Sequence, residues 1–110
     1  MAMSVPESAT SSTDTKNTSI LVRFTDATGS TTETYDEVLR RLESEGGFPP
    51  EGLEYHVAFE SGGSLRVSEI WDSREQFDKF GERLMPILAD VGIELTGEPE
   101  ILKIHNVVKR

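Results

Sequence analysis

Four stretches of this chain have a hydrophobic pattern typical of β-strands. The stretches cover residues 20–24, 54–60, 65–71 and 98–108. Each contains β-branched or aromatic residues and is bounded by turn residues, which is typical of half-buried strands. Between the second and third stretches, Ser61-Gly62-Gly63-Ser64 predicts a hairpin with a two-residue turn.

A first amphipathic helix is predicted over residues 31–45, between the first two strands. Its apolar positions follow the spacing i, i+3, i+4, i+7 and are Tyr35, Val38, Leu39 and Leu42. The pattern Ser30-x-x-Glu33 has the form of a capping box at the start of this helix. Gly46 and Gly47 are expected to end it.

A second helix is predicted after the hairpin, with Asp72 or Ser73 as its cap and Gly92 at its end. Its apolar positions are Phe77, Phe80, Leu84, Ile87, Leu88 and Val91. Pro86 lies inside it and has no N–H to bond to the carbonyl four residues back. We therefore expect a kink or a break near Leu84–Met85.

The order strand, helix, strand, strand, helix, strand predicts the α+β class with a ferredoxin-like βαββαβ fold. Such a fold has a four-stranded antiparallel sheet with both helices on one face. Eight of the first 18 residues are Ser or Thr, so residues 1–18 are expected to form a disordered tail. Residues 19–110 then form one domain, and deletion of the tail should leave the melting temperature nearly unchanged.

The hairpin turn also predicts which residues share a face of the sheet. A two-residue turn pairs His56 with Glu69 and Ala58 with Val67, and Trp71 points the same way as Glu69. The opposite face is more apolar, so we expect it to contact the helices. It carries Tyr55, Val57, Phe59, Ser68 and Ile70. We therefore expect His56, Ala58, Val67, Glu69 and Trp71 on the free face, at an interface or a pocket.

His56 and Glu69 are the candidate catalytic residues. A carboxylate beside an imidazole fixes its tautomer and favours a general base in a cavity of low dielectric constant. Trp71 is a candidate wall for a flat aromatic ligand, and Ala58, Val67 and His105 are further candidate ligand contacts. The alternative is structural: a buried His–Glu pair at a dimer interface with Trp71 as packing. The sequence leaves both interpretations open.

Four short motifs resemble small proteins of the dimeric α/β-barrel superfamily, over about residues 19–108. They are Tyr55-His56-Val57-Ala58, Val67-Ser68-Glu69-Ile70-Trp71-Asp72-Ser73, Phe77-Asp78-Lys79-Phe80 and Ile104-His105-Asn106-Val107. The resemblance implies a homodimer in which two sheets face each other and close a barrel. The superfamily includes antibiotic-biosynthesis-type monooxygenases, haem-degrading enzymes and chlorite dismutases, so the fold alone does not choose an activity. In the cofactor-independent monooxygenases an Asn and a Trp are proposed to hold substrate and oxygen; Trp71 can match the Trp, and no Asn lies beside it on the sheet.

Composition narrows the chemistry further. There is no Cys, which excludes disulfides and thiolate metal sites, and the formal net charge of −9 argues against nucleic acid and anionic membranes as partners. His56, His105 and Glu69 could form a site of two His and one carboxylate, but nothing in their spacing demands it. Either His could ligate a haem, but the chain lacks a set of basic residues for the haem propionates. We expect no metal and no cofactor. The N-terminus lacks a basic and an apolar region, so no signal peptide is expected and the predicted location is the cytoplasm.

These observations predict a small homodimeric protein that binds a small apolar or aromatic molecule in a cleft. The alternative is a cofactor-independent monooxygenase that acts on an aromatic or polyketide-like substrate. An open volume beside His56 and Trp71 is the feature expected to distinguish an enzyme from a purely structural dimer.

Overall fold

The computed structural model describes residues 18–110 of the chain. In that part, the elements in chain order are β1 (Ile20–Arg23), β2 (Ala27–Thr28), α1 (Thr32–Ser44), β3 (Leu53–Ser61), β4 (Ser64–Trp71), α2 (Arg74–Val91), β5 (Glu94–Leu95) and β6 (Glu100–Lys103). Apart from Thr18, the predicted tail lies outside the described residues.

The main sheet is antiparallel and has the strand order β3-β4-β1-β6, while β2 and β5 form a separate two-stranded pair. One apolar cluster joins Val22 of β1 and Trp71 of β4 to Val38 of α1 and Phe80 of α2. Both helices therefore cover the same face of the sheet. This arrangement confirms the predicted α+β ferredoxin-like fold.

The β3–β4 hairpin has the predicted register. Ser61 lies opposite Ser64, and His56 lies opposite Glu69. Gly62 and Gly63 form the turn with φ values of 61° and 84°. Positive φ at both central residues matches the twist of the flanking strands, and glycine adopts it without steric cost.

The assignment of the two sheet faces was wrong, because the helices cover the His56 side. Trp71 is fully buried and Glu69 is 4% exposed, whereas Val57 is 52% exposed and Tyr55 41%. Burial of Glu69 is tolerated because the polar groups of this face hydrogen-bond to one another, which offsets the cost of removing them from water. The number of apolar residues on each face does not reveal this compensation, which is why it predicted the wrong buried face.

The cap of α1 is shifted by one residue from the prediction. Thr31, not Ser30, is the N-cap: its hydroxyl accepts from the N–H of Thr34, and the Thr34 hydroxyl accepts from the N–H of Thr31. Ser30 donates instead to the carbonyl of Leu65, at 2.8 Å. The hydroxyl of Ser30 thus ties the start of α1 to the hairpin.

The second helix begins with Ser73 as its N-cap and ends at Gly92 with φ 92°. The helix continues through Pro86, so of the expected kink or break near Leu84–Met85 the break does not occur. Pro86 lies on the exposed side of α2, where the carbonyl left without a helical donor can bond to water. The turn after Pro86 is held by burial of Ile87 and Leu88.

The last strand is shorter than the predicted range 98–108. β6 pairs only with β1, from Ile20↔Lys103 to Arg23↔Glu100. Since β1 has four residues, it offers no further backbone partners to β6. Residues 104–110 continue without regular structure. None of the helices in residues 18–110 has the length and apolar character needed to cross a membrane.

Candidate functional site

A cavity of about 90 Å³ lies between the main sheet and the two helices. Its walls are mainly aliphatic and aromatic, with contributions from Leu39 of α1, Val67 of β4 and Leu84 of α2. Tyr35, His56 and Glu69 also line it. The cavity is thus an apolar space into which a few polar groups converge, as in ligand sites.

Four side chains form a continuous chain of hydrogen bonds at this cavity. Trp71 Nε1 donates to Glu69 Oε1 at 2.9 Å. Glu69 Oε2 lies 2.7 Å from His56 Nδ1, and His56 Nε2 lies 2.7 Å from the hydroxyl of Tyr35. We call these four residues, Tyr35, His56, Glu69 and Trp71, the relay. It joins β3, β4 and α1 through side chains alone.

The directions of the hydrogen bonds in the relay follow from the two groups at its buried end. The indole N–H of Trp71 can only donate, and a carboxylate can only accept. Glu69 therefore accepts from Trp71 and from Nδ1 of His56, which fixes the proton of a neutral imidazole on Nδ1. Nε2 is then the acceptor, and the hydroxyl of Tyr35 donates to it.

Tyr35 remains a neutral phenol in this environment. Burial raises its pKa above the usual value of 10, and the negative charges of Glu69 and Asp36 raise it further. Desolvation disfavours the phenolate because the charged form loses its hydration. A neutral Tyr35 keeps its proton near neutral pH and can donate it to His56 whenever the imidazole is neutral.

Aromatic packing holds the imidazole ring of His56 in place. The ring of Tyr35 stacks on it with centroids 5.8 Å apart and an interplanar angle of 21°. Phe48 meets it edge-on, with centroids 5.7 Å apart. The ring is therefore held between α1 and the loop that follows α1, and its orientation is fixed by packing as well as by hydrogen bonds.

Tyr35 and Phe48 are site residues that sequence reasoning missed. Tyr35 was assigned to the apolar stripe of the first helix, together with Val38 and Leu42. The available signal was its hydroxyl, since a buried tyrosine needs a hydrogen-bond partner and the aliphatic members of the stripe do not. Phe48 follows the end of α1, where no periodic pattern marks it.

The other predicted site residues lie in different places. Val67 lines the cavity, while Trp71 lies behind Glu69 and is not part of the lining, and Ala58 is not part of it either. His105 and Asn106 line a separate groove together with Ser19. Trp71 therefore supports the site from behind, through Glu69, rather than forming a wall against a ligand.

The two histidines do not meet, because His56 lies at the cavity and His105 at the separate groove. Within residues 18–110, no group of three or more His, Asp or Glu side chains is arranged to hold a metal ion. The fold thus does not bring His56, His105 and Glu69 together as a metal site.

No protein-family model matches this chain, and no curated protein matches it. Solved structures similar to it include a conserved protein from Methanosarcina mazei Go1, with 18% identity over 80% of this chain and 92% of that chain and a TM-score of 0.45. Rv0793 from Mycobacterium tuberculosis has 18% identity over 83% and 95%, with a TM-score of 0.45. A monooxygenase from the gene ActVA-Orf6 of Streptomyces coelicolor, solved with the ligand nanaomycin D, has 12% identity over 84% and 89%, with a TM-score of 0.45.

At these identities, similarity between structures concerns the fold and not the chemistry of the site. The strand order β3-β4-β1-β6, with both helices on one face, is itself the ferredoxin-like arrangement. The resemblance drawn from the sequence motifs is confirmed at this level: the chain has the ferredoxin-like fold.

Proposed function

We propose that this protein binds a small, mainly apolar molecule in the cavity between the sheet and the helices. The observation that carries the proposal is an apolar cavity with the hydrogen-bonded pair Tyr35–His56 at its wall. Protein interiors are usually packed close to crystal density, so an unfilled space in the core suggests room for a ligand. Polar side chains that converge in an apolar space are the features that orient a ligand.

The size of the cavity sets the size of the ligand. An engineered apolar cavity of about 150 Å³ holds benzene, whereas drug-sized ligands occupy roughly 300–1,000 Å³. The cavity here has about 90 Å³. It is smaller than the space that holds benzene, so a one-ring ligand is the upper limit and needs small movements of the side chains in the wall. A polycyclic ligand requires the helices to move away from the sheet.

Isothermal titration calorimetry with phenol, anisole and toluene tests this proposal. We expect wild-type protein to bind at least one of the three with saturable heat. Val67→Phe places a phenyl ring in the cavity and should abolish binding, whereas Val57→Phe lies on the opposite face of the sheet and should leave binding unchanged. Absence of binding in the wild type, or equal binding by Val67→Phe, would overturn the proposal.

We further infer that two copies of the chain associate through the face of the sheet that the helices leave uncovered. A row of apolar side chains crosses that face from strand to strand: Tyr55, Ile70, Leu21 and Leu102 are successive register partners. Val57 and Phe59 extend the row along β3 and are half exposed. A second copy would remove this apolar surface from water, which is favourable.

A cofactor-independent monooxygenase remains the second candidate, favoured by one observation. Nε2 of His56 has a carboxylate behind it and is bonded to the hydroxyl of Tyr35 at the cavity wall, so a substrate proton could reach the imidazole through Tyr35, as in general-base catalysis. In such a reaction a substrate CH₂ group and O₂ give a carbonyl and water, with the electrons coming from the two C–H bonds. The small cavity favours binding over this reaction on a polycyclic substrate.

An oxygen electrode distinguishes the two candidates. Oxygen uptake with an aromatic compound that carries a benzylic CH₂ group, stoichiometric with the carbonyl product and lost in His56→Gln, would support the oxygenase. Binding without oxygen uptake would support the binding function alone.

A further inference from the structure

We infer that the cavity selects an uncharged ligand that carries a hydrogen-bond donor, an O–H or an N–H, over a ligand of the same shape that can only accept. The inference rests on the proposed function, because it concerns the ligand of the same cavity. It assigns to Glu69 a positioning role: Glu69 acts on the ligand through His56 and Tyr35.

The argument starts from the protons of the relay. Glu69 accepts from Trp71 Nε1 at 2.9 Å and from His56 Nδ1 at 2.7 Å. In a neutral imidazole, His56 Nε2 is then left without a proton and accepts from the Tyr35 hydroxyl at 2.7 Å. A phenol hydroxyl has one proton and two lone pairs. The single proton of Tyr35 is used by His56, so its oxygen offers only lone pairs to the cavity.

The negative charge of Glu69 disfavours an anionic ligand at the Tyr35 oxygen. Glu69 is 4% exposed, so its negative charge is weakly screened by water. Burial raises the pKa of the Tyr35 hydroxyl, and the charges of Glu69 and Asp36 raise it further. The same negative potential opposes a carboxylate or phenolate ligand at the Tyr35 oxygen. A neutral alcohol, phenol or amide remains.

The other hydroxyl groups of the lining have their protons engaged elsewhere. Ser30 donates to the carbonyl of Leu65 at 2.8 Å, and Thr25 donates to the carbonyl of Glu98 at 3.3 Å. Arg66 also lines the cavity; it pairs with Asp26 at 3.1 Å, and its Nε is buried without a hydrogen-bond partner. The Tyr35 oxygen is thus the polar contact that the relay offers to a ligand in the cavity.

Replacing Glu69 by Gln should reverse the selectivity without changing the shape of the site. The Gln carbonyl accepts from Trp71, and its amide then donates to Nδ1 of His56. The imidazole proton then lies on Nε2, and the Nε2–H group donates to the Tyr35 oxygen. The Tyr35 proton is released toward the cavity, where it favours a ligand that accepts.

Calorimetric titration with phenol and its methyl ether, anisole, tests the inference. Wild type should bind phenol about fivefold more tightly than anisole, since one hydrogen bond contributes about 1 kcal/mol. Tyr35→Phe leaves Nε2 of His56 as an acceptor and should keep a preference for phenol, whereas Glu69→Gln should reverse the wild-type preference. A merely structural role of Glu69 would weaken both ligands equally. Equal affinity of wild type for the two ligands would overturn the inference and leave the proposed function intact.

A measurement without ligand separates the inference from the proposed function. Long-range ¹H–¹⁵N NMR spectra show which nitrogen of a neutral imidazole carries the proton. We expect Nδ1–H for His56 in wild type and Nε2–H in Glu69→Gln. Nε2–H in wild type would overturn the inference. If no ligand binds and the tautomers are as expected, the proposed function fails and the hydrogen-bond polarity of the site stands.

Discussion

Glu69 Oε1 accepts a hydrogen bond of 2.9 Å from the indole of Trp71, two residues later on the same strand. Side chains two residues apart on a strand point to the same face, so the pair is set by local geometry. Trp71 is fully buried and Glu69 is 4% exposed. The carboxylate is therefore satisfied inside the protein rather than by water, and His56 supplies its second donor.

Replacing Glu69 by Leu should destabilise the protein by about 2–3 kcal/mol, since it leaves the buried N–H of Trp71 without an acceptor and removes the partner of His56. Glu69→Gln should cost less than about 1 kcal/mol, because the amide satisfies both neighbours. Urea unfolding at one fixed protein concentration measures both values. Equal losses for the two variants would contradict the described hydrogen bonds. Glu60→Gln, at an exposed position of β3, is the control.

Stability should fall above pH 10 in a way that depends on Tyr35. The folded protein holds the pKa of Tyr35 above its usual value of 10. Below pH 10 both states keep the proton and the contribution is constant. Above pH 10 the unfolded chain loses the proton more readily than the folded one, so unfolding becomes more favourable as the pH rises. Thermal unfolding between pH 9 and 11 should therefore show a steeper loss in wild type than in Tyr35→Phe.

The control for this experiment is Tyr55→Phe, which removes a phenol that is 41% exposed in one copy of the chain. Because the inferred association would bury Tyr55, both variants are compared at a protein concentration at which the chain is monomeric. If Tyr35→Phe retains the wild-type slope, the burial of Tyr35 does not govern the alkaline transition.

A charge on the uncovered face should separate the two copies of the chain. Val57 is 52% exposed in one copy, and the inferred association would bury it. Val57→Glu should therefore convert the dimer to a monomer, since an unpaired charge in an apolar interface is costly. Light scattering coupled to size-exclusion chromatography measures the mass. Val108→Glu, at a position that is 85% exposed near the C-terminus, should remain dimeric; a monomeric wild type would refute the association.

The shifted cap of α1 makes a prediction of its own. Thr31→Ala should destabilise the protein by about 1 kcal/mol, the usual cost of losing a threonine N-cap. Thr32→Ala is the matched control, because Thr32 lies in the first turn and its hydroxyl contacts only the exposed side chain of Glu33. Its effect should stay within about 0.5 kcal/mol. Urea denaturation measures the free energy of unfolding of both variants. A larger loss in Thr32→Ala than in Thr31→Ala would show that Thr31 is not the cap.

The register of the hairpin could be predicted because it depends on four consecutive residues. Two glycines at the turn admit positive φ, and the pairing of His56 with Glu69 follows by counting outward. The choice of the buried face could not be made in this way. It depends on whether the polar side chains of one face satisfy each other, and the partner of His56 is Tyr35, which is 21 positions away and on a helix.

The prediction of the first residue of α1 was wrong for a related reason. Ser30 and Thr31 are adjacent hydroxyl residues, and either can cap a helix by sequence alone. The carbonyl of Leu65, which accepts from Ser30, is 35 positions further along the chain. Contacts at that separation decide between two locally equivalent residues, and they become visible only when the sheet and the helix are placed together.

Trp71 is the single tryptophan of the chain, which makes the support of the site also its intrinsic fluorophore. Its indole is fully buried, and its N–H is bound to the carboxylate that orients His56. A change of charge or hydrogen bonding at Glu69 acts directly on the excited-state dipole of the ring. Emission from this protein therefore reports the state of the relay without any attached label, so occupancy of the cavity can be followed optically in a titration or a stopped-flow mixer.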